Sequence, residues 1–136
     1  MQVIEVARLL SVTPDTVRYY TRIKILNPTT NTANGYREYS NTDVKRLRFV
    51  LSARQLGFSV QDIQEILLHA DKQRTPCPIV RRLIDQRLHE TEERLLETVK
   101  LKERMQRAVI EWGQKPDKSP TGHMICHLIE EFAERN

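Results

Sequence analysis

The feature that most constrains the fold of this 136-residue chain is a long stretch of helix-forming sequence near its middle. Thr75-Pro76 is typical of a helix start, and neither glycine nor proline occurs between Ile79 and Trp112. At ~1.5 Å per residue, a helix from Pro76 to about Trp112 would be about 55 Å long. A domain of this size cannot bury such a helix by itself, so we expect partner surface to cover part of it.

Apolar residues along this stretch indicate a dimeric coiled coil. They recur at alternating steps of four and three residues, although Thr91, Thr98 and Lys102 occupy other positions of the same seam. The charged residues between them are expected to form mostly a solvated face. The apolar seam consists of Ile84, Leu88, Leu95, Met105, Val109 and Trp112.

The sequence before the long stretch predicts a helix-turn-helix. Apolar residues from Ile4 to Leu10 suit a first short helix. Thr13-Pro14-Asp15 then supplies an N-cap, a proline at the first helical position and an acid in the first turn. This pattern predicts a second helix from about Pro14 to Ile23, and two short helices with a tight connection fit a helix-turn-helix.

Turn and cap signals predict the elements that follow. Asn34-Gly35 is the strongest short-range hairpin signal, so we expect a β-ribbon with its turn there. Ser40 with Asp43, and Ser59 with Asp62, resemble capping boxes that would start a third and a fourth helix. Residues 123–132 suit a short amphipathic C-terminal helix.

These elements predict a mostly α protein, in which a winged helix-turn-helix precedes a long coiled-coil dimerisation helix and a short C-terminal helix. The expected domains are the winged helix-turn-helix at 1–70, a hinge and dimerisation helix at 71–112, and a loop with the C-terminal helix at 113–136. No apolar run approaches the length of a membrane span, and the first residues lack a signal-peptide pattern. We therefore expect a cytoplasmic protein without a membrane partner.

The positive charge is concentrated in the N-terminal part of the chain. Residues 1–56 hold nine Lys and Arg against four Asp and Glu, hence 9 − 4 = +5, whereas the whole chain carries +4. A basic N-terminal part suggests nucleic acid as its partner. At 100° per residue, Arg18 and Tyr19 share the outer face of the second helix with Asp15 and Arg22. Tyr20 is expected to pack beneath the helix.

Residues on this face and on the ribbon are the predicted DNA contacts. Arginines can bind phosphates or guanine edges, and a tyrosine hydroxyl can donate to a phosphate. An exposed Arg/Tyr face without a ligand is the alternative interpretation. The predicted set is Thr13, Asp15, Thr16, Arg18, Tyr19, Arg22, Tyr36 and Arg37.

Several segments resemble the MerR family of transcription regulators, namely VTPDTVRYYTRIKIL, NGYREY and DVKRLRFVLSARQLGFSVQDIQEIL. The resemblance runs from Met1 to Trp112. It implies a homodimer with an antiparallel coil, bound to double-stranded promoter DNA between two recognition elements that have an overlong spacer. Effector binding would twist and bend the DNA and realign these elements for RNA polymerase, in the bacterial nucleoid. It also assigns Arg18 and Tyr19 to the recognition helix, and Tyr36 and Arg37 to the wing.

Cys77, at the head of the long helix, is the expected effector thiol. Free backbone N–H groups and the helix dipole favour a thiolate there. The resemblance implies that this position binds metal in the mercury-, zinc-, cadmium- and lead-responsive branches, with further ligands from the partner protomer. His123, Cys126 and His127 would supply them, and thiolate with imidazole suits such thiophilic ions. Those branches usually have another cysteine after the dimer helix, where Asp117 offers an oxygen ligand instead.

Other functions remain open from the sequence. Cys126 could be a small buried hydrophobe on an apolar helix face. The regulator could respond to oxidants or an organic effector through Cys77, or the chain could be a DNA architectural module without an effector. An enzyme is not expected, because no paired carboxylates, nucleophile–base set, P-loop or dinucleotide glycine pattern occurs.

Overall fold

The computed structural model describes residues 1–135, which are mostly α-helical as predicted. The chain divides into two compact units, Met1–Leu88 and a second that begins at His89. No helix among the described residues is both long and apolar enough to cross a membrane. The elements are α1 (Val3–Leu9), α2 (Pro14–Arg22), β1 (Thr29–Thr30), β2 (Arg37–Glu38), α3 (Asn41–Gln55), α4 (Val60–Asp71), α5 (Cys77–Trp112) and α6 (His127–Arg135).

The first two helices form the predicted helix-turn-helix. Thr13 caps α2, since its Oγ1 accepts a hydrogen bond from the Thr16 N–H at 3.2 Å. The turn between the helices includes Ser11, whose φ of 56° lies in the left-handed region. Val17 and Tyr20 are buried in the core of this unit, which confirms the inner face predicted for α2.

The ribbon forms, but its connection is longer than a two-residue turn at Asn34-Gly35. Thr30 pairs with Arg37, and the intervening residues 31–36 close through the Asn31 N–H, which donates to the Tyr36 carbonyl at 2.7 Å. The Asn31 side chain accepts from the Ala33 N–H at 2.8 Å and so stabilises the wider loop. Gly35 still takes the left-handed conformation expected of it, with φ of 73°.

Both predicted capping boxes are present. Ser40 and Asp43 start α3, and Ser59 and Asp62 start α4. Asp43 is buried and also accepts a hydrogen bond from the Asn27 N–H at 3.0 Å, so the same carboxylate fixes the chain that enters the ribbon. Asp43 thus joins the start of α3 to another part of the first unit.

The first turns of α5 pack against α4. Leu83 is buried, and two ion pairs flank it: Arg82 Nη2 to Glu65 Oε1 at 3.3 Å, and Arg87 Nε to Asp62 Oδ2 at 3.2 Å. The helix itself begins at Cys77, one residue later than predicted. Its first intrahelical bond runs from Val80 N–H to the Pro76 carbonyl at 2.9 Å.

In the second unit, α6 packs against the end of α5. The rings of Trp112 and Phe132 meet edge to face with centroids 6.0 Å apart. Arg135 pairs with Glu111, and Lys115 Nζ lies 3.0 Å from Glu131 Oε2. The C-terminal helix begins at His127 instead of the expected position 123, so residues 113–126 form the loop between the two helices.

Candidate DNA-binding surface and effector region

The outer face of α2 carries the charged and aromatic side chains predicted to contact DNA. Arg18 and Asp15 are exposed and form an ion pair, with Nη1 2.8 Å from Oδ1. Arg22 places its guanidinium carbon 5.7 Å from the centroid of the Tyr19 ring, a cation–π distance. Tyr19 in turn meets Tyr20 edge to face at 5.0 Å. The buried Tyr20 therefore supports the half-buried Tyr19, and Tyr19 supports the exposed Arg22.

A cavity of about 300 Å³ is lined by residues of both the recognition helix and the ribbon. Arg18 of α2 lines it with Tyr36 and Arg37 of the ribbon. The exposed fraction of Tyr36 is 62%, so this ring projects from the wing rather than packing into the core. Two arginines and a tyrosine lining one concave surface suit the phosphates and groove edges of a nucleic acid.

The start of the chain completes this surface, and sequence reasoning missed it. Gln2 and Ile4 line the same cavity, and Ile4 is 55% exposed. They are held there because Met1 exchanges two main-chain hydrogen bonds with Tyr39, at 3.0 and 2.7 Å. A strand-like pairing between residues 38 positions apart leaves no local pattern in the sequence.

Thr13 and Thr16 lie at the first turn of α2. Their hydroxyl oxygens are 2.9 Å apart, and Thr13 is exposed while Thr16 is partly buried. Thr13 serves first as the N-cap, so a DNA contact from this hydroxyl would share the oxygen that caps the helix. Pro14 has no N–H and the Thr16 N–H donates to Thr13, so in the first turn the N–H of Asp15 is the main-chain donor left for a phosphate.

The recognition helix is tied to the ribbon from beneath. The hydroxyls of Thr21 in α2 and Tyr39 after β2 are 2.7 Å apart, and Tyr39 is buried. Tyr39 therefore packs against α2 and is not part of the exposed wing. This link fixes the spacing between the arginine-bearing face of α2 and the wing.

The predicted effector ligands differ in accessibility. Cys77, the first residue of α5, is a free and exposed thiol, and Thr75 Oγ1 lies 3.4 Å from its N–H. Cys126, just before α6, is a free and partly buried thiol. His123 and Asp117 are exposed in the loop. Within residues 1–135, one chain gathers no group of three His, Cys, Asp or Glu side chains suited to a metal ion.

His127 is the most buried of these residues. It is 7% exposed, and its Nδ1 lies 3.8 Å from Glu131 Oε2 without a hydrogen-bond partner among the described residues. Glu131 accepts a hydrogen bond from Lys115, which holds the pKa of its carboxyl below the ordinary value. An imidazole that faces this ion pair is less available to a metal than the exposed ring of His123.

Comparisons with known proteins agree with this architecture. The family model described as "MerR HTH family regulatory protein" matches residues 1–70, and the one described as "MerR, DNA binding" matches residues 44–108. The chain belongs to the MerR family. It is thus a DNA-binding transcriptional regulator and not an enzyme, as predicted.

Relatives of this MerR-family chain extend the match beyond the helix-turn-helix. The HTH-type transcriptional regulator ZntR of Escherichia coli K12 is 36% identical over 104 residues, which are 76% of this chain and 74% of ZntR. Heavy metal-dependent transcription regulator 2 of Rhizobium meliloti is 39% identical over 80 residues, 58% of this chain and 54% of that protein. The structure of PbrR691 from Ralstonia metallidurans, in complex with lead(II), has the same fold, with a TM-score of 0.72, 18% identity and coverage of 96% and 98%.

Proposed function

We propose that this MerR-family regulator binds promoter DNA as a homodimer and activates transcription when a thiophilic divalent metal ion, Zn²⁺, Cd²⁺, Pb²⁺ or Hg²⁺, binds to it. In this proposal residues 1–70 bind DNA, 71–112 dimerise, and 113–136 hold the effector. The bound metal shifts the dimer to a conformation that twists and bends the promoter so that RNA polymerase can use it. The protein then works in the bacterial cytoplasm, on the nucleoid.

The proposal of a metal effector rests on the two free thiols. Cys77 is exposed and Cys126 is partly exposed, and the ring of His123 is also accessible. Thiolate and imidazole are the donors that these ions prefer. A relative named as a heavy metal-dependent regulator supports the same effector class. The bound ion would draw the donor groups together, and the chain supplies those donors from the start of α5 and the start of α6.

An apolar surface on the second unit supports the homodimer. The exposed fractions of Leu95 and Val109 are 65% and 72%, and Met105 and Ile110 line a groove of about 410 Å³ with Val109. Contiguous exposed apolar surface on a long helix favours pairing with another helix. A second copy of α5 presents the same residues, as a symmetric dimer requires.

The DNA-binding part of the proposal rests on the cavity between α2 and the ribbon. Arg18, Tyr36 and Arg37 line it, and the buried Tyr39 holds the two elements at a fixed spacing. This arrangement puts arginines on α2 and on the adjacent wing, the usual docking elements for a major groove and its flanking backbone.

Metal titration of two single variants and their mixture tests the proposed site. Cys77→Ser and Cys126→Ser should each lose high-affinity Cd²⁺ binding and metal-dependent transcription, while operator binding persists. If each site joins Cys77 of one protomer to Cys126 of its partner, a heterodimer of the two variants contains one intact site. Mixing them should therefore restore about one quarter of the wild-type sites after subunit exchange.

Three outcomes would contradict the proposal. A normal metal response in Cys77→Ser would remove this thiol from the site. Failure of the mixture to regain Cd²⁺ sites, with exchange verified, would show that the site does not span two protomers. A wild-type response to peroxide but not to metal, with oxidation of Cys77, would favour the redox alternative.

A further inference from the structure

The side chain of Glu130 folds back onto the main chain around Cys126. Its Oε2 accepts hydrogen bonds from the N–H groups of Ile125 at 2.9 Å and of Cys126 at 2.8 Å. The N–H of Glu130 in turn donates to the Cys126 carbonyl at 3.1 Å. One residue therefore holds the main chain of Cys126 at both its donor and its acceptor.

These bonds act where the chain would otherwise be least constrained. Residues 113–126 contain no helix or strand, and Cys126 is the last residue before α6. The N–H groups at a helix start lack intrahelical acceptors, and a carboxylate that accepts two of them forms charge-assisted hydrogen bonds. Fixing the main chain of Cys126 fixes the direction of its Cα–Cβ bond, and with it the region that the thiol can reach.

Glu130 differs in this from the other acids of α6. Glu131 pairs with Lys115 at 3.0 Å, and Glu134 is exposed. Glu130 bonds to Cys126 through main-chain atoms and not through the sulfur, so the sulfur stays available to a ligand. The corresponding anchor at the other thiol is weaker, because the N–H of Cys77 lies 3.4 Å from a neutral hydroxyl.

We propose that Glu130 is a positioning residue for the effector thiol of Cys126, acting through the main chain without binding the metal. This inference rests on the proposed function, since it assumes that Cys126 is a metal ligand. Partners that orient a ligand typically change metal affinity by about 10- to 100-fold when they are removed. We expect a loss in that range when the carboxylate can no longer reach the N–H groups of residues 125 and 126.

Substitutions at position 130 separate positioning from direct ligation. Glu130→Gln keeps an oxygen at the same reach and removes the negative charge, so it should bind metal within a few-fold of wild type if the role is positioning. Glu130→Asp keeps the charge but shortens the side chain by about 1.5 Å, so it should lose affinity as Glu130→Ala does. A residue that ligated the metal directly would show a large loss in Glu130→Gln as well.

The experiment is a Cd²⁺ titration of the full-length protein, followed by the thiolate-to-cadmium absorption band. Glu130→Ala and Glu130→Asp should shift the midpoint by about 10-fold or more while the band at saturation keeps its intensity, because the thiolates still bind. Hydrogen exchange at Ile125 and Cys126 should be faster in both variants. Glu134→Ala, an exposed acid on the same helix, is the matched control and should bind as wild type.

Comparison with Cys126→Ser separates failure of this inference from failure of the proposed function. If Cys126→Ser loses affinity but Glu130→Ala and Glu130→Asp do not, the positioning role is wrong and the proposed site stands. If Cys126→Ser binds Cd²⁺ normally, Cys126 is not a ligand and both are overturned. Should Glu130→Ala fail to fold, equal affinities of Glu130→Gln and Glu130→Asp would still contradict the inference.

Discussion

The hydrogen bond between Tyr39 and Thr21 has a direction that the structure determines. The Thr21 hydroxyl donates its only hydrogen to the Val17 carbonyl at 2.8 Å. Its oxygen must therefore accept at 2.7 Å from the hydroxyl of Tyr39. The residue Tyr39 as a whole is 4% exposed. The two partners are consequently not equivalent, and removing one should cost more than removing the other.

The expected costs follow from what each substitution leaves behind. Tyr39→Phe removes the donor, but the Thr21 hydroxyl keeps its bond to Val17, so the free energy of unfolding should fall by about 1 kcal/mol. Thr21→Val leaves the buried O–H of Tyr39 without its acceptor and should cost more, about 2 kcal/mol within a range of about 1–3. The double variant leaves no buried donor unpaired. Its cost should be smaller than the sum of the two by about 1 kcal/mol.

Urea unfolding of the four proteins, with the free energies compared as a double-mutant cycle, tests this reasoning. Tyr36→Phe is the control, since it deletes the same hydroxyl from an exposed ring and should change stability by less than about 0.5 kcal/mol. A Tyr39→Phe variant less stable than Thr21→Val would refute the assigned direction. Additive costs in the double variant would show that the two hydroxyls do not interact.

Two further predictions concern charge. Arg18→Ala should weaken operator binding and lower the slope of log affinity against log salt by about one, as a lost phosphate contact requires, whereas Lys100→Ala in α5 should leave it unchanged. Equal salt dependence of the wild type, Arg18→Ala and Lys100→Ala would show that Arg18 does not contact a phosphate. Because Lys115 lowers the pKa of Glu131 in the folded protein, this carboxyl stabilises the fold above its ordinary pKa, and the contribution is lost as the pH falls through the depressed value. Lys115→Met should raise that pKa toward the ordinary value in an NMR titration of the carboxyl, and an unchanged pKa would exclude Lys115 as the cause.

Helix starts were predictable because their determinants are local. Thr13, Ser40 and Ser59 each cap a helix through a residue three positions away, and all three caps are present. Periodicity likewise separated Tyr20 from Tyr19, since burial of one face of α2 follows from the helical repeat. The start of α6 was misplaced because Cys126, the residue before it, is not a typical N-cap, and the acid that accepts from its N–H, Glu130, lies four positions away instead of three.

The concave surface around Arg18 could not be predicted for a different reason. It exists because Met1 pairs with Tyr39 across the fold, and a contact of that sequence separation depends on tertiary packing. The wider loop of the ribbon has a local cause instead. The side chain of Asn31 accepts a hydrogen bond from Ala33, and its N–H group donates one to Tyr36. These two bonds outweigh the preference of Asn34-Gly35 for a two-residue turn.

The predicted effector residues illustrate the limit of residue type as a signal. Cys77, His123 and His127 are equally good ligands by chemistry, yet the first two are exposed and the third is buried. Burial depends on how α6 packs against the end of α5, through Trp112 and Phe132, and no spacing rule encodes that contact. The metal ligand set stays a prediction that titration of the variants can test.

The two roles of the Asp62 carboxylate should constrain how related sequences differ. One of its oxygens accepts from the Ser59 N–H at 3.0 Å and also lies 3.2 Å from Arg87 Nε, so the cap of α4 and the attachment of α5 depend on the same atom. A substitution that lengthens or neutralises this side chain disturbs both helices at once. Across related sequences, positions 59, 62 and 87 should therefore change as a set, whereas the exposed pair of Arg82 and Glu65 is free to drift.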